Sequence, residues 1–311
     1  MLGRMWRGAS CRLAVLALSA LTVVSGLCGQ ASAASMGGGV KPFQVGMQEP
    51  VTPVAVEINK FYDLVNYIIV AIAIFVLILM LIVMFRFSEK RNPTPSRTSH
   101  NTMLEVAWTV VPILILVVIA IPSFKLLNMQ YAYPKPDLTI KATGYSWYWS
   151  HEYPDQGGFS FDSVVLGDDD RQALIRKGIP SPRLLAVDND VVVPVGKVVH
   201  VLVTAADVIH SWTVPAFGSN TDAVPGRVTS TWFQATKTGI YYGDCTQLCG
   251  KDHSAMPIGV RVVTEDVFNA WAGAMKAKDK KKAKEIIEKA ALEEIGRKNV
   301  ADAATQDSTQ R

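Results

Sequence analysis

Two stretches of this chain cannot easily be left in water. Leu64–Phe85 runs 22 residues and Val106–Phe124 runs 19 residues without an Asp, Glu, Lys or Arg. A helix needs about 20 apolar residues to cross the hydrocarbon of a bilayer, and helices are favoured there because every backbone group must be paired within the segment. The two runs therefore predict a transmembrane hairpin over residues 61–128, with helices at about 64–87 and 104–127. Between them, RFSEKRNPTPSRTSHN carries Arg86, Lys90, Arg91 and Arg97 against a single acid, Glu89. A short basic loop stays on the cytoplasmic side. Both outer ends of the hairpin then lie outside the cytoplasm, and the lipid bilayer is the first partner the chain requires.

The segment before the hairpin has the order of a secretory signal. Arg4, Arg7 and Arg12 precede the apolar run Leu13–Leu27, and small residues follow in Ala31-Ser32-Ala33-Ala34. Residues 1–34 are expected to be cleaved, leaving an extracytoplasmic N-terminal segment at 35–60. The competing reading, an uncleaved third membrane helix, asks a short apolar run to cross the bilayer. Cleavage removes Cys11 and Cys28, so of the four cysteines only Cys245 and Cys249 remain.

Beyond the hairpin the texture changes to short runs rich in β-branched and aromatic residues, broken by Gly, Pro, Asn and Asp. LTIKATGYSWYW, VVVPVGKVVHVLVTA and VTSTWFQATKTGIYY are examples. Such runs favour strands, and many short strands with turn signals between them predict an all-β Greek-key sandwich or barrel over residues 133–272. Residues 273–311 form a charged C-terminal tail, expected to be solvated and partly helical, with a weak apolar stripe of Ile286, Ile287, Ala290 and Ile295. Although the chain as a whole carries +4, residues 130–275 hold 15 acids against 11 bases. An acidic head suits a basic protein partner and argues against nucleic acid.

The chemistry is concentrated in GIYYGDCTQLCGKDHSAMPIGV, where Cys245, Cys249, His253 and Met256 fall within twelve residues. Two thiolates, an imidazole and a thioether on one loop form a metal-ligand set. Cys with His suits copper or zinc, and a weakly held thioether tilts the choice to copper. A Cys245–Cys249 disulfide is the plainer alternative in an oxidising compartment. A second imidazole is available from His210 in ADVIHSWTVPAFG, although a lone His near an apolar strand is often only a core residue.

The pairing of DVIHSWTVP with YYGDCTQLCGKDHSAMP resembles subunit II of the haem–copper cytochrome c oxidases, over roughly residues 50–272. The resemblance implies a cupredoxin-like barrel whose end loop holds a binuclear copper centre (CuA). By that likeness both coppers share Cys245 and Cys249. His210 and Met256 complete one copper; His253 and the backbone carbonyl of Gln247 complete the other. A Glu usually stands at position 247 in the family, and its side chain reaches a magnesium ion shared with subunit I. An amide is a poorer ligand for a hard cation, so Gln247 puts the magnesium in doubt.

The same likeness makes Trp147, in GYSWYW, the residue through which electrons enter, while Trp149 reads as barrel packing. It makes Glu152, Asp162, Asp188 and Asp207 docking acids for cytochrome c. It places Glu105, at the cytoplasmic edge of the second span, at the entrance of a proton pathway. The implied partners are subunit I, which bears the haem, subunit III and cytochrome c; the implied location is a bacterial plasma membrane with the copper domain on the periplasmic side. A membrane-anchored copper-delivery protein or a zinc-stabilised structural protein is the alternative, and it would need the sulfur loop but not Trp147, the acids or Glu105.

Overall fold

The computed structural model describes residues 44–94 and 96–309, with side chains as far as Gly296. The signal sequence expected at 1–34 lies outside the described residues, as does the first part of the segment that follows it.

Among the described residues two long helices come first, α1 (Pro53–Arg86) and α2 (Thr102–Tyr131). Both are long and apolar enough to cross a membrane, and neither buries its apolar stretch against protein. That combination makes sense only in lipid. The first helix starts eleven residues before the expected position near 64, because Glu57, Lys60 and Asp63 interrupt its opening turns, which therefore do not read as a span. Thr52 caps it, accepting from the Ala55 N–H at 3.0 Å, and Pro53 follows in the first turn. At 1.5 Å per residue, 34 residues reach about 50 Å, roughly 20 Å more than the hydrocarbon core. The surplus turns lead to the β-domain, where Thr52 Oγ1 donates to the Phe217 carbonyl at 2.8 Å and Val51 N–H donates to that of Ala216 at 3.0 Å. The C-terminal end of α2 is tied to the same domain, with Trp232 Nε1 donating to the Gln130 carbonyl at 3.0 Å.

Ten strands form two five-stranded sheets. The first has the order β3 (Phe159–Ser163), β2 (Tyr148–Tyr153), β1 (Leu138–Tyr145), β5 (Val198–Ala205), β8 (Thr229–Gln234). The second runs β4 (Val191–Pro194), β10 (Pro257–Val263), β9 (Gly239–Cys245), β6 (His210–Val214), β7 (Ser219–Ala223). Parallel pairs β1–β5 and β4–β10 sit among antiparallel ones, and the sheets curl into a cupredoxin-like Greek-key barrel. In β1 and β5 alternate residues point inward, Leu138, Ile140 and Ala142 against Val199, Val201 and Val203, as a period of two requires.

The second sheet breaks that alternation, since every residue of β4 and β10 is buried. Its outer side is covered by the helix α4 (Glu265–Lys276), which buries Phe268, Trp271 and Ala272, and by α5 (Lys280–Thr309), which buries Ala283 and Ala291. A short helix α3 (Asp168–Arg176) adds the ion pair Lys177–Glu288 at 2.7 Å. The tail expected to be solvated is therefore a packed helix over its described side chains. Its contact face joins Ala283 and Ala291 to Ile286 and Ile287 of the expected apolar stripe, a signal weakened by the lysines and glutamates between them.

Candidate metal centre

The candidate ligands come from two elements that the barrel brings together at one end. His210 opens β6 and Cys245 closes β9; these strands pair through Trp212 opposite Cys245 and Thr213 opposite Asp244. Gly243 permits their close approach, because a Cβ there would meet the Thr213 carbonyl oxygen at 1.9 Å. Gly144 on β1 does the same for the His210 ring, which packs where a side chain would stand, 2.8 Å from an ideal Cβ. After Cys245 the chain turns back through Gln247 and Cys249 to a 3-10 turn at His253–Ala255, and Met256 leads into β10.

The donor atoms converge. Cys245 Sγ lies 3.9 Å from Cys249 Sγ and 3.9 Å from His210 Nδ1, while Cys249 Sγ lies 3.4 Å from His253 Nδ1. The Gln247 carbonyl is 3.3 Å from Cys245 Sγ. His210, Cys245 and Cys249 offer ligand atoms all within 4.8 Å of one another. Met256 is buried, and its carbonyl accepts from the Cys245 N–H at 3.2 Å. Both cysteines are free thiols, so the disulfide reading is not the arrangement found.

The electrostatics of this cluster fit a cation. Burial, and then the neighbouring Cys245, push the Cys249 thiol up to about 12, so two thiolates side by side are costly until positive charge arrives between them. His210 is held in the matching tautomer: its Nε2 lies 3.0 Å from Asp207 Oδ1. A proton on Nε2 pointing at a carboxylate leaves the Nδ1 lone pair free on the Cys245 side, which is the usual orienting arrangement behind a ligating imidazole. Burial works to raise the Asp207 carboxyl, but hydrogen bonds from His210, Ser146 and the Val208 N–H outweigh it and hold it well below the usual range. Paired sulfurs, two imidazoles, a thioether and a carbonyl suit copper better than a hard cation.

Around this end lie several of the other residues singled out in the sequence. Trp147 is half-buried over the ligand loop and donates from Nε1 to the Cys249 carbonyl at 3.3 Å. Trp149 is fully buried and meets the His210 ring edge-on at 6.0 Å. Asp162 is exposed and lies opposite Ser150 on β3, and Asp188 accepts from the Val164 N–H at 2.8 Å beside it. Glu152 stands farther along β2, 3.7 Å from Lys141. Gln247 has an exposed side chain. Glu105 is far away in sequence and element, in the first turn of α2 at the opposite end from the β-domain.

Two features were not legible beforehand. Asp207 was read as a docking acid by resemblance, whereas three residues before His210 it also grips that ring; the D-x-x-H spacing was the available signal. Tyr145 and Tyr148 stack at 4.9 Å with 4° between their planes, flanking Trp147. Burial first, then Asp162, Tyr145 and Asp207, raise the Tyr148 phenol.

Comparison with known proteins agrees in both halves of the chain. The model of the cytochrome c oxidase subunit II periplasmic domain matches residues 138–263, and that of the subunit II transmembrane domain matches residues 40–126. Cytochrome c oxidase subunit 2 of Cereibacter sphaeroides is 46% identical over 243 residues, covering 74% of this chain and 80% of that one. The subunit 2 of Branchiostoma floridae is 42% identical over 234 residues, covering 75% and 97% respectively. A crystal structure of the periplasmic domain of subunit II of the Bradyrhizobium japonicum cytochrome oxidase is 55% identical with a TM-score of 0.43, covering 47% of this chain and 98% of that one. Two membrane-length helices, a cupredoxin-like barrel and matches to both domain models over most of the relatives' length have one reading: this chain belongs to the cytochrome c oxidase subunit II family.

Proposed function

We propose that the chain is the subunit through which electrons enter a terminal cytochrome c oxidase. In this reading Cys245, Cys249, His210, His253, Met256 and the Gln247 carbonyl would hold a binuclear copper centre, which would supply a one-electron redox couple between cytochrome c and the haem of subunit I. Oxygen reduction and proton pumping belong to the larger subunits, with subunit III as a further neighbour. The copper domain stands on the periplasmic side of a bacterial plasma membrane, an orientation that the basic loop between the spans supports.

The observation that carries this reading is the pair of free, buried thiols 3.9 Å apart with an imidazole nitrogen beside each. The chain's own residues have definite tasks. Cys245 and Cys249 would supply the thiolates; Asp207 keeps the Nε2 proton of His210, which leaves Nδ1 free to ligate; Trp147 spans the path from the surface to the Cys249 carbonyl. Asp162, Asp188 and Asp207 present negative charge around the aromatic tip, where a basic cytochrome c would dock, and Glu152 contributes from farther off. Glu105 is assigned to proton uptake on the cytoplasmic side. Magnesium is not assigned, because Gln247 offers an amide where a hard cation prefers a carboxylate.

Metal content and electron paramagnetic resonance of the purified full chain test the assignment. The expected result is two coppers per chain with a seven-line mixed-valence hyperfine pattern. A colourless protein with one zinc would overturn it in favour of a structural site made by two Cys and two His.

A further inference from the structure

Strand β6 carries His210 on its inner face, and alternation puts Ser211 and Thr213 on the outer face. Outer-face residues of a barrel ordinarily meet water, but Ser211 is 1% exposed and Thr213 is 7% exposed. What covers them is polar. Thr213 Oγ1 lies 2.8 Å from Thr246 Oγ1 and 3.2 Å from Asn220 Oδ1, and Ser211 Oγ lies 3.0 Å from the same Asn220 oxygen. One assignment of protons satisfies the three shorter contacts: Ser211 and Thr213 each donate to Asn220 Oδ1, which leaves Thr213 Oγ1 free to accept from Thr246, while the Ser211–Thr213 hydroxyl contact at 3.4 Å carries no proton. Asn220 sits on β7, opposite Thr213 in the ladder.

We propose that this chain from Thr246 through Thr213 to Asn220 is a positioning device that clamps the sulfur loop to the strand bearing His210. Thr246 lies between Cys245 and Gln247, so its hydroxyl is the side-chain tie on the segment that must present one sulfur and one carbonyl together. β6 and β9 share only two paired positions, Trp212 with Cys245 and Thr213 with Asp244. The backbone ladder stops where the loop begins, and the hydroxyl bond takes over one residue beyond it. With the loop held, the Gln247 carbonyl stays at 3.3 Å and His210 Nδ1 at 3.9 Å from Cys245 Sγ. Without it, the loop would keep its Trp147 and Met256 contacts but lose the tie on its first residue after Cys245. The inference rests on the copper reading above only for its consequence at the metal; the clamp itself is a property of the metal-free protein.

The test uses the full chain in detergent, metal-free and copper-loaded, with Thr213→Val, which keeps the shape and removes the hydroxyl, and Thr213→Ser, which restores it. A neutral hydrogen bond contributes about 0.5–1.5 kcal/mol net, roughly a two- to tenfold change in an opening equilibrium. Amide hydrogen exchange in the metal-free peptide spanning Thr246–Cys249 should therefore accelerate about two- to tenfold in the Val variant and return in the Ser variant. In the copper-loaded protein the Val variant should show altered hyperfine splittings, again restored by Ser. Thr246→Val should mimic Thr213→Val, and the double variant should be no worse than either alone. Unchanged exchange in Thr213→Val overturns the proposal, and so does a Ser variant as impaired as Val, which would point to lost packing of the methyl group. If the wild-type chain bound no copper pair, the functional reading would fall while the exchange comparison still decided the clamp.

Discussion

The ligand end of the barrel and the wall beneath α4 and α5 are equally buried, yet they are built on opposite principles. At the ligand end, two thiols, two imidazoles and a carbonyl crowd together. Under the helices, a buried ionic group is already matched: Arg261 is paired with Asp190 at 2.7 Å, both side chains nearly closed off from water. The two fully buried histidines repeat the contrast. His210 has Asp207 on one nitrogen and Cys245 beside the other. His151 has Ser163 at 3.1 Å on Nδ1, while its Nε2 meets no partner among the described residues. The sulfur cluster is suited to a cation from outside, whereas the Arg261–Asp190 pair is matched within the fold.

The contrast is broken most severely by removing a sulfur. Cys249→Ser should abolish the binuclear copper signal outright, since a bridging thiolate is lost, while leaving the apo barrel folded by circular dichroism. A retained seven-line pattern would show that the site is not binuclear. The mirror experiment on the wall is Asp190→Ala, which strands the Arg261 charge. Breaking a buried pair in this way costs about 3–5 kcal/mol, so the melting temperature should fall steeply while the copper spectrum of the folded fraction is unaltered. Loss of copper at full stability would reverse the roles assigned to the two regions.

Much of this contrast was legible in the sequence, though unevenly. The membrane spans were visible as charge-free runs because lipid tolerates nothing else, but the opening turns of α1, from Pro53 to about Asp63, were not. Glu57, Lys60 and Asp63 interrupt their apolar residues, and the helix continues there because Thr52 caps it and the barrel receives it. Cys245, Cys249, His253 and Met256 declare themselves through spacing on one loop. His210 could be attached to them only through family resemblance, because its approach depends on β6 pairing with β9 across 35 positions. The stripe of Ile286, Ile287, Ala290 and Ile295 does mark the packed side of α5, but it is too faint among lysines and glutamates to say that the tail would dock and not stay solvated.

His151 gives a subtler test, through pH. Burial drives its folded-state pKa down from 6.5 to about 3, so the folded protein holds it neutral where the unfolded chain would take a proton. Stability contributed by the neutral ring is intact above about 6.5 and falls as pH drops toward 3. At 1.36 kcal/mol per unit, the loss between pH 7 and pH 5 should be about 2 kcal/mol. Chemical denaturation of wild type and His151→Gln at both pH values measures it: the variant should be weaker at pH 7 but should lack this part of the acid loss. Parallel curves would mean that His151 titrates normally and that water reaches it.

The smallest effect separates two surface acids that the resemblance treated alike. Glu152 belongs to the wall pattern, already facing Lys141 at 3.7 Å, and it lies five residues along β2 from Trp147, about 16 Å at the rise of a strand. Asp162 belongs to the ligand end: it is opposite Ser150, about 10 Å from Trp147 by the same measure, and its field reaches the Tyr148 phenol. With a Debye length of about 8 Å at physiological ionic strength, a charge at the nearer distance still steers a basic partner, whereas the farther, paired one is largely screened. Asp162→Asn should therefore slow the encounter with cytochrome c by roughly threefold at low salt, with the difference fading as salt rises, while Glu152→Gln should change it little. Stopped-flow reduction over a salt series reads both at once. Equal effects from the two variants would mean that docking senses the net charge of the whole domain and not the carboxylates gathered around the aromatic tip.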